Sequence, residues 1–411
     1  MGYLLWRLVL ASTHSTGAAM KFRLRLFPPL KRLKKYALLL ALLLLVKIPW
    51  ALMLSEDGAQ VLSGATKTEL LARRDYLLER VRLQSHAVAG APAYLDSQFQ
   101  GEWALVTYSM LASALTNLGF MFPETRSESL QALEELIERV RTPEMRRFDE
   151  ARWGEDPLAS LDSNNGHIGY LGHLNWMLSA HVLLGGDTRY SALFSSVTNA
   201  LYRRLHASPG LCLETYPGEI YLPDNLVVFA SIANFSRTQH GEYTDLASAW
   251  VQHARAALLD RELGILPFHL DQDCKPTGGV RGSGAGWNSF YLPYINEPFA
   301  TEQYQRINQN LIQWRLFTGV REYPRGVFGL GDVDSGPALL GFSPSGTGFF
   351  IAGAAHAQDA ALLTKLLFTS ELVGSTWEWN ARRRYLLAPL VGDAILLAMK
   401  TARVWDLRYR Q

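Results

Sequence analysis

The sequence predicts an all-α protein, a helical-pair barrel of the (α/α)6 toroid type preceded by one N-terminal transmembrane helix, and three observations carry that prediction. Hydrophobic residues make up 48% of the 411 residues, enough for one large core. From Thr66 onward apolar residues recur at helical spacing, while alternating strand and helix is absent, which argues against Rossmann and TIM layouts. Near the N-terminus, Tyr36–Leu54 reads YALLLALLLLVKIPWALML, close to the roughly 20 residues that cross a hydrocarbon core.

Taken in order, helices are expected over Thr66–Val88, Trp103–Leu118, Ser127–Arg141, His167–Leu184 and Thr188–His206. Asn225–Thr238, Glu242–Leu263, Trp287–Asn296, Thr301–Thr318, Ser345–Thr369 and Asn380–Met399 follow. Breaks between them carry turn residues such as Gly185-Gly186-Asp187 and Ser208-Pro209-Gly210. Leu211–Tyr221 reads as a short hairpin around Pro217-Gly218. An α-solenoid would show a repeat of about 34 to 47 residues, and none is visible. Paired helices closing a ring would gather their polar, aromatic and Gly-rich loops at one end, around a central cavity. The expected layout is a basic cytoplasmic arm over 1–35, a transmembrane anchor over 36–54 and one barrel domain over 66–403.

Charge orients the anchor. All eight Lys/Arg before Tyr36 stand without an Asp or Glu, whereas Ser55, Glu56 and Asp57 follow Leu54. The positive-inside rule keeps the arm in the cytoplasm and places the C-terminal domain in the periplasm or exterior. A cleaved signal peptide is the competing reading, disfavoured because no small-x-small site follows Leu54 closely. Met20 offers a second start. The remainder of the chain is mildly acidic, which excludes a nucleic-acid-binding body, since phosphate contacts need clustered Lys/Arg. Cys212 and Cys274 are too far apart for a C-x-x-C site. A bridge between them needs Cα atoms within about 7 Å, and the reading favours two free thiols.

Three segments concentrate polar residues beyond what folding requires. Asp162–Asn175, DSNNGHIGYLGHLN, brings His167, Tyr170 and His173 near one helix face, for acid–base work or substrate contact. No Glu stands beside the first His as in zincins, so no metal site is assigned. Glu214–Asn225, ETYPGEIYLPDN, offers Glu214, Glu219, Tyr216, Tyr221, Asp224 and Asn225, of which helix capping uses only one. Phe328–Ser345 carries Asp332 and Asp334; such a pair can split its pKa values and keep one proton. Trp287, Tyr291 and Tyr294 are expected as pocket walls.

The run Tyr170-Leu171-Gly172-His173-Leu174-Asn175, followed by Pro223-Asp224-Asn225, resembles the linalool dehydratase/isomerase family, whose (α/α)6 barrel is lined by a Gly-His-Leu-Asn helix start and a Pro-Asp-Asn segment. The resemblance implies cofactor-free acid–base chemistry, a lyase or isomerase acting on a terpenoid or other hydrophobic alcohol. By that likeness His173 is the catalytic His, and Glu102 and Tyr108 match an acid followed six residues later by a Tyr. Both cysteines of the linalool-active members are absent: Tyr221 and the Phe229-Ala230-Ser231 run stand near their places. In this reading His173 shuttles a proton while Asp224 or Glu219 orients it, and Tyr108 and Tyr221 donate to the departing hydroxyl. His167, Tyr170, Asn175, Glu219, Asn225, Trp287, Tyr291, Asp332 and Asp334 would contact the substrate. A glycan-active hydrolase or lyase of the envelope is the alternative, because paired carboxylates and Trp platforms suit sugars. A non-catalytic envelope protein is the third.

Overall fold

Two kinds of helix alternate along the chain: apolar ones buried nearly all round and amphipathic ones that bury one stripe. In the computed structural model, which describes residues 45–84, 95–238, 243–315, 317–338 and 340–405, the helices are α1 Gly58–Ser63, α2 Lys67–Leu83, α3 Ser97–Met121, α4 Arg126–Val140, α5 Pro143–Trp153, α6 Ile168–Leu184 and α7 Ser191–Ala207. They continue with α8 Leu222–Thr238, α9 Thr244–His253, α10 Gly282–Ile295, α11 Glu297–Asn310, α12 Pro344–His356, α13 Ala360–Gly374 and α14 Leu390–Lys400. Short strands lie in the loops: β1 Ile220–Tyr221, β2 His269–Leu270, β3 Pro276–Thr277, β4 Ile312–Trp314, β5 Thr318–Val320, β6 Gly331–Asp332, β7 Gly336–Pro337, β8 Thr376–Trp379 and β9 Arg382–Tyr385. All the ladders are antiparallel.

Six helices close a ring. α3 packs on α6, α6 on α8, α8 on α10, α10 on α12, α12 on α14, and α14 returns to α3. Most residues of these helices are buried; in α6 only Gly169 and Val182 escape full burial. Each is backed by a second helix: α4 behind α3, α7 behind α6, α9 behind α8, α11 behind α10 and α13 behind α12. The place behind α14 is filled from the other end of the chain, by α2. Outer helices bury one stripe, as α4 does with Ser129, Ala132, Leu133, Leu136, Ile137 and Val140. Because the other five pairs are consecutive helices, their inner helices run the same way and their N-terminal ends share one end of the ring.

Several boundaries differ from expectation. The 301–318 run stops at Asn310 and turns into the β4–β5 hairpin. The 345–369 run breaks at 357–359, where Gln358 takes a positive φ. The 380–399 run is a hairpin, β8–β9, until Pro389 caps α14. Helix α5 was not expected; Thr142 caps it through Met145 N, and Pro143 occupies its first turn. Residues 45–54 are helical, whereas the arm over 1–35 and the first part of the 36–54 segment lie outside the described residues. The compact unit that holds the ring begins at Trp50. Among the described residues one helix, α3, is long and apolar enough to cross a membrane, and it is buried in the ring.

Candidate active site

Glu102 sits in the second turn of α3, Asp224 in the first turn of α8, and Asp334 in the turn joining β6 to β7. The segment 208–221 connects them. Its Tyr216 hydroxyl donates to Glu102 Oε1 at 2.5 Å, and its Thr215 hydroxyl donates to Asp224 Oδ2 at 2.9 Å. That segment is fixed at three points. β1 pairs with β2, placing Tyr221 opposite His269. Asn225 receives Leu213 N and donates to Leu213 O and Tyr221 O. Cys212 is bridged to Cys274 with Cα atoms 5.9 Å apart, which corrects the expectation of free thiols. The β1–β2 pairing that brings the two loops together is long-range and leaves no mark on the local pattern of residues.

The three carboxylates are held toward the protonated form. Burial pushes Glu102 up to about 7; the Tyr216 and Gln98 hydrogen bonds oppose it and the Asp224 charge adds to it. Burial likewise lifts Asp224 to about 7, against the Thr215 bond and with help from the Asp334 charge. Asp334 reaches about 7 through crowding by protein, then through Asp332 and Glu102. Water nevertheless reaches the Asp334 side chain, whereas Glu102 and Asp224 are partly buried. Each of the three feels another's charge. The Tyr216 hydroxyl, buried beside Glu102, is pushed well above its ordinary value and keeps its proton.

Two arginines brace the rim. Arg152 donates to Glu219 at 2.6 Å and to Gln98 at 2.8 Å, and its guanidinium lies 4.4 Å over the Tyr216 ring. Tyr221 donates to the other oxygen of Glu219 at 3.1 Å. Arg281 donates to Glu322 and to Asp332, each at 2.6 Å. Burial would raise Asp332, but Arg281 and the Ser335 amide outweigh it and hold it low. Glu322 is fully buried and also receives Ser283 N and Oγ at 2.9 Å. That approach depends on Gly282, where a Cβ would lie 1.9 Å from the Arg321 carbonyl oxygen. His269, with its ring centroid 4.7 Å from that of Tyr221, is pushed down by burial and then by Arg281, so its imidazole is neutral near pH 7.

The remaining predicted residues divide. His173 is buried, with Nδ1 2.8 Å from Ser109 Oγ and its ring edge-on to Trp287, and burial lowers it to about 4. Trp287 donates to Pro223 O at 3.1 Å. The Tyr291 hydroxyl is buried and feels the Asp224 charge. These three therefore lie behind Asp224 in the ring interior. His167 is instead clamped outside, with Nδ1 2.5 Å from Asp149 Oδ2 and Nε2 3.2 Å from Glu155 Oε1. Tyr170 donates to Val140 O, and Asn175 bonds Ser231 and Thr198 between helices. Tyr108 is turned toward Arg139 on α4 and Glu144 on α5. Sequence reading missed Gln98, Arg152, Thr215, His269, Arg281 and Glu322. No motif marks them, and Arg152 belongs to the unforeseen helix α5. Among the described residues no His, Cys, Asp or Glu group is arranged to hold a metal ion.

The fold and site thus define a helical ring with an acidic, tyrosine-lined cleft at the N-terminal end of its inner helices. No protein-family model and no curated protein matches the chain. Solved structures similar to it include a glycoside hydrolase of family 105 from C. acetobutylicum, with a TM-score of 0.48, 10% identity, and coverage of 81% of this chain and 98% of that one. Another is an unsaturated glucuronyl hydrolase, responsible for the degradation of glycosaminoglycan, from Bacillus sp. GL1, with a TM-score of 0.48, 13% identity, and coverage of 81% and 95%. The linalool dehydratase/isomerase resemblance is corrected: no model of that family matches the chain, and the site is not the one the resemblance implies. The geometry gives the physical reason. Tyr108 faces an outer helix, His173 has no carboxylate partner, and the cleft presents ionisable acids where a terpenoid or other hydrophobic alcohol would need an apolar wall.

Proposed function

We propose that the chain is a glycan-active enzyme of the (α/α)6 type, a hydrolase or lyase of the cell envelope. One observation carries this: Glu102, Asp224 and Asp334 stand close enough to feel one another's charge, in surroundings that raise each to about 7. Cleavage of a sugar linkage needs one carboxyl that still holds its proton at neutral pH and one that has lost it. Asp224, partly buried and bonded by Thr215, is the proton donor to the leaving oxygen. Asp334, which water reaches, is the base that activates water or removes a sugar proton. Glu102 and Tyr216 form a donor pair that holds a substrate hydroxyl, and Tyr221 with Glu219 lines the same wall. His173 serves as a neutral support behind Asp224.

Export of the domain is part of the proposal. The basic arm before Tyr36 and the Cys212–Cys274 bridge both suit a domain held outside the cytoplasm by the 36–54 segment. The test is a panel of neutral and acidic polysaccharides with wild-type protein and Asp224→Asn. New reducing ends without ultraviolet absorbance mark a hydrolase, and an unsaturated product marks a lyase. Turnover that survives in Asp224→Asn would refute the assignment.

A further inference from the structure

Beside the carboxylates lies a second recess, of about 560 Å³. We propose that it is an accessory saccharide subsite, taking the uncharged sugars that flank the one undergoing reaction; this rests on the glycan reading above. Its volume falls inside the range of about 300–1,000 Å³ usual for small-ligand sites. Its lining includes His269, Gly279, Arg281, Gln309, Asn310 and Tyr323. Two of these also belong to the catalytic cleft: His269 packs against Tyr221, and Arg281 holds Asp332. A chain lying across the carboxylates would therefore continue into the recess.

The lining chemistry selects the ligand. Gln309 and Asn310 offer amides and Tyr323 a hydroxyl, groups that both donate and accept and so match the hydroxyls of a sugar. At the rim, Val327 lines the recess and its neighbours Phe328 and Leu330 stand exposed, Phe328 at 88%, providing apolar surface for the C–H face of a pyranose. Charge argues against an acidic sugar. Six carboxylates, Glu102, Glu219, Asp224, Glu322, Asp332 and Asp334, surround the junction, and Arg152 and Arg281 are already spent on Glu219, Glu322 and Asp332. The recess itself adds Asp260 and Glu262 against one further guanidinium, Arg325, so a uronate carboxylate meets no net positive charge there.

Gly279 supplies the test. A Cβ at this position meets nothing within 4 Å, and its backbone is outside the left-handed region, so Gly279→Trp adds bulk to the recess without strain. Wild type and variant are titrated calorimetrically with cellopentaose, chitopentaose and a galacturonic acid pentamer, and with the matching disaccharides. An uncharged pentamer should bind wild type more tightly than its disaccharide, and Gly279→Trp should reduce that affinity ratio at least tenfold. Gln309→Ala, on the exposed side of α11, gives a second, smaller reduction should the Trp variant fail to fold. An unchanged ratio in both variants, a preference for the galacturonic acid pentamer, or no pentamer binding overturns the proposal. The catalytic reading fails separately: an inactive Asp224→Asn beside a Gly279→Trp indifferent to chain length removes the subsite and leaves the carboxylate assignment standing.

Discussion

Asp224→Asn keeps the size of the side chain and removes its ionisation, so it isolates what burying that carboxylate costs. The group moves from 3.8 to about 7 on folding, a difference worth about 4 kcal/mol at 1.36 kcal/mol per tenfold change in proton affinity. The pKa is raised in the folded state, so the wild-type contribution is fully present below the unfolded value. It is lost progressively as pH rises through the folded value near 7. Asn has no such loss. The variant should therefore match wild type near pH 4 and become more stable by up to about 4 kcal/mol at pH 8, less whatever cleft water screens. Urea unfolding from pH 4 to 8.5 reads this directly, as a stability gap between the two proteins that opens with pH and then levels. A flat gap, or one that opens in favour of wild type, would show that Asp224 is ionised and stabilised in the fold. The carboxylate would then be an anchor and not an acid, and the reasoning that makes it a proton donor would fail.

Other outcomes follow from the same structure. Cys212→Ser opens a bridge that closes a loop of 62 residues, which should cost about 4 kcal/mol by the chain-entropy relation, measured as a fall in denaturation midpoint that reductant reproduces in wild type. Lys400→Met leaves Glu56 and Glu69 buried without their shared cation, and should cost about 3–5 kcal/mol by urea unfolding at pH 8. That cost should shrink toward pH 5, where Glu56, raised by burial to about 6, takes up its proton. A reporter active only outside the cytoplasm should work when fused after Gln411 and fail when fused at Lys35; the reverse pattern would end the exported-domain proposal.

The ring was legible because its signal is local. Periodicity along α4 or α7 is a property of consecutive residues, and the polar Glu214–Asn225 segment announces itself by composition. What stayed hidden depends on distant partners. Arg152 reads as an ordinary helix-surface cation until α5 is set against the 208–221 segment, where it meets Glu219, which lies 67 residues on. His269 and Arg281 acquire meaning only through the β1–β2 pairing and the Asp332 turn. The motif that led furthest astray, Gly172-His173-Leu174-Asn175, marks buried helix packing: Asn175 ties α6 to Ser231 on α8 and Thr198 on α7. Polar residues in an inner helix are conspicuous in sequence whether they face a ligand or brace a neighbour, and only the contacts distinguish the two.

The ring's closure explains why acids can be kept under repulsion at its mouth. α14 is backed by α2, so the two ends of the domain hold each other, with Lys400 of α14 between Glu56 and Glu69 and with Arg73 of α2 bonded to Glu69, Glu371 and Thr376. In that cluster burial is answered by opposite charge: Glu69, although desolvated, is held below the ordinary carboxylate range by Arg73 and Lys400. In the cleft the same burial is left unanswered. Asp224 is bonded by a Thr hydroxyl, and Asp334 feels Asp332 and Glu102 more strongly than it feels Arg281. Carboxylates with matched cations serve structure; carboxylates without them are under strain the remainder of the ring must offset, and that imbalance is what chemistry at neutral pH requires.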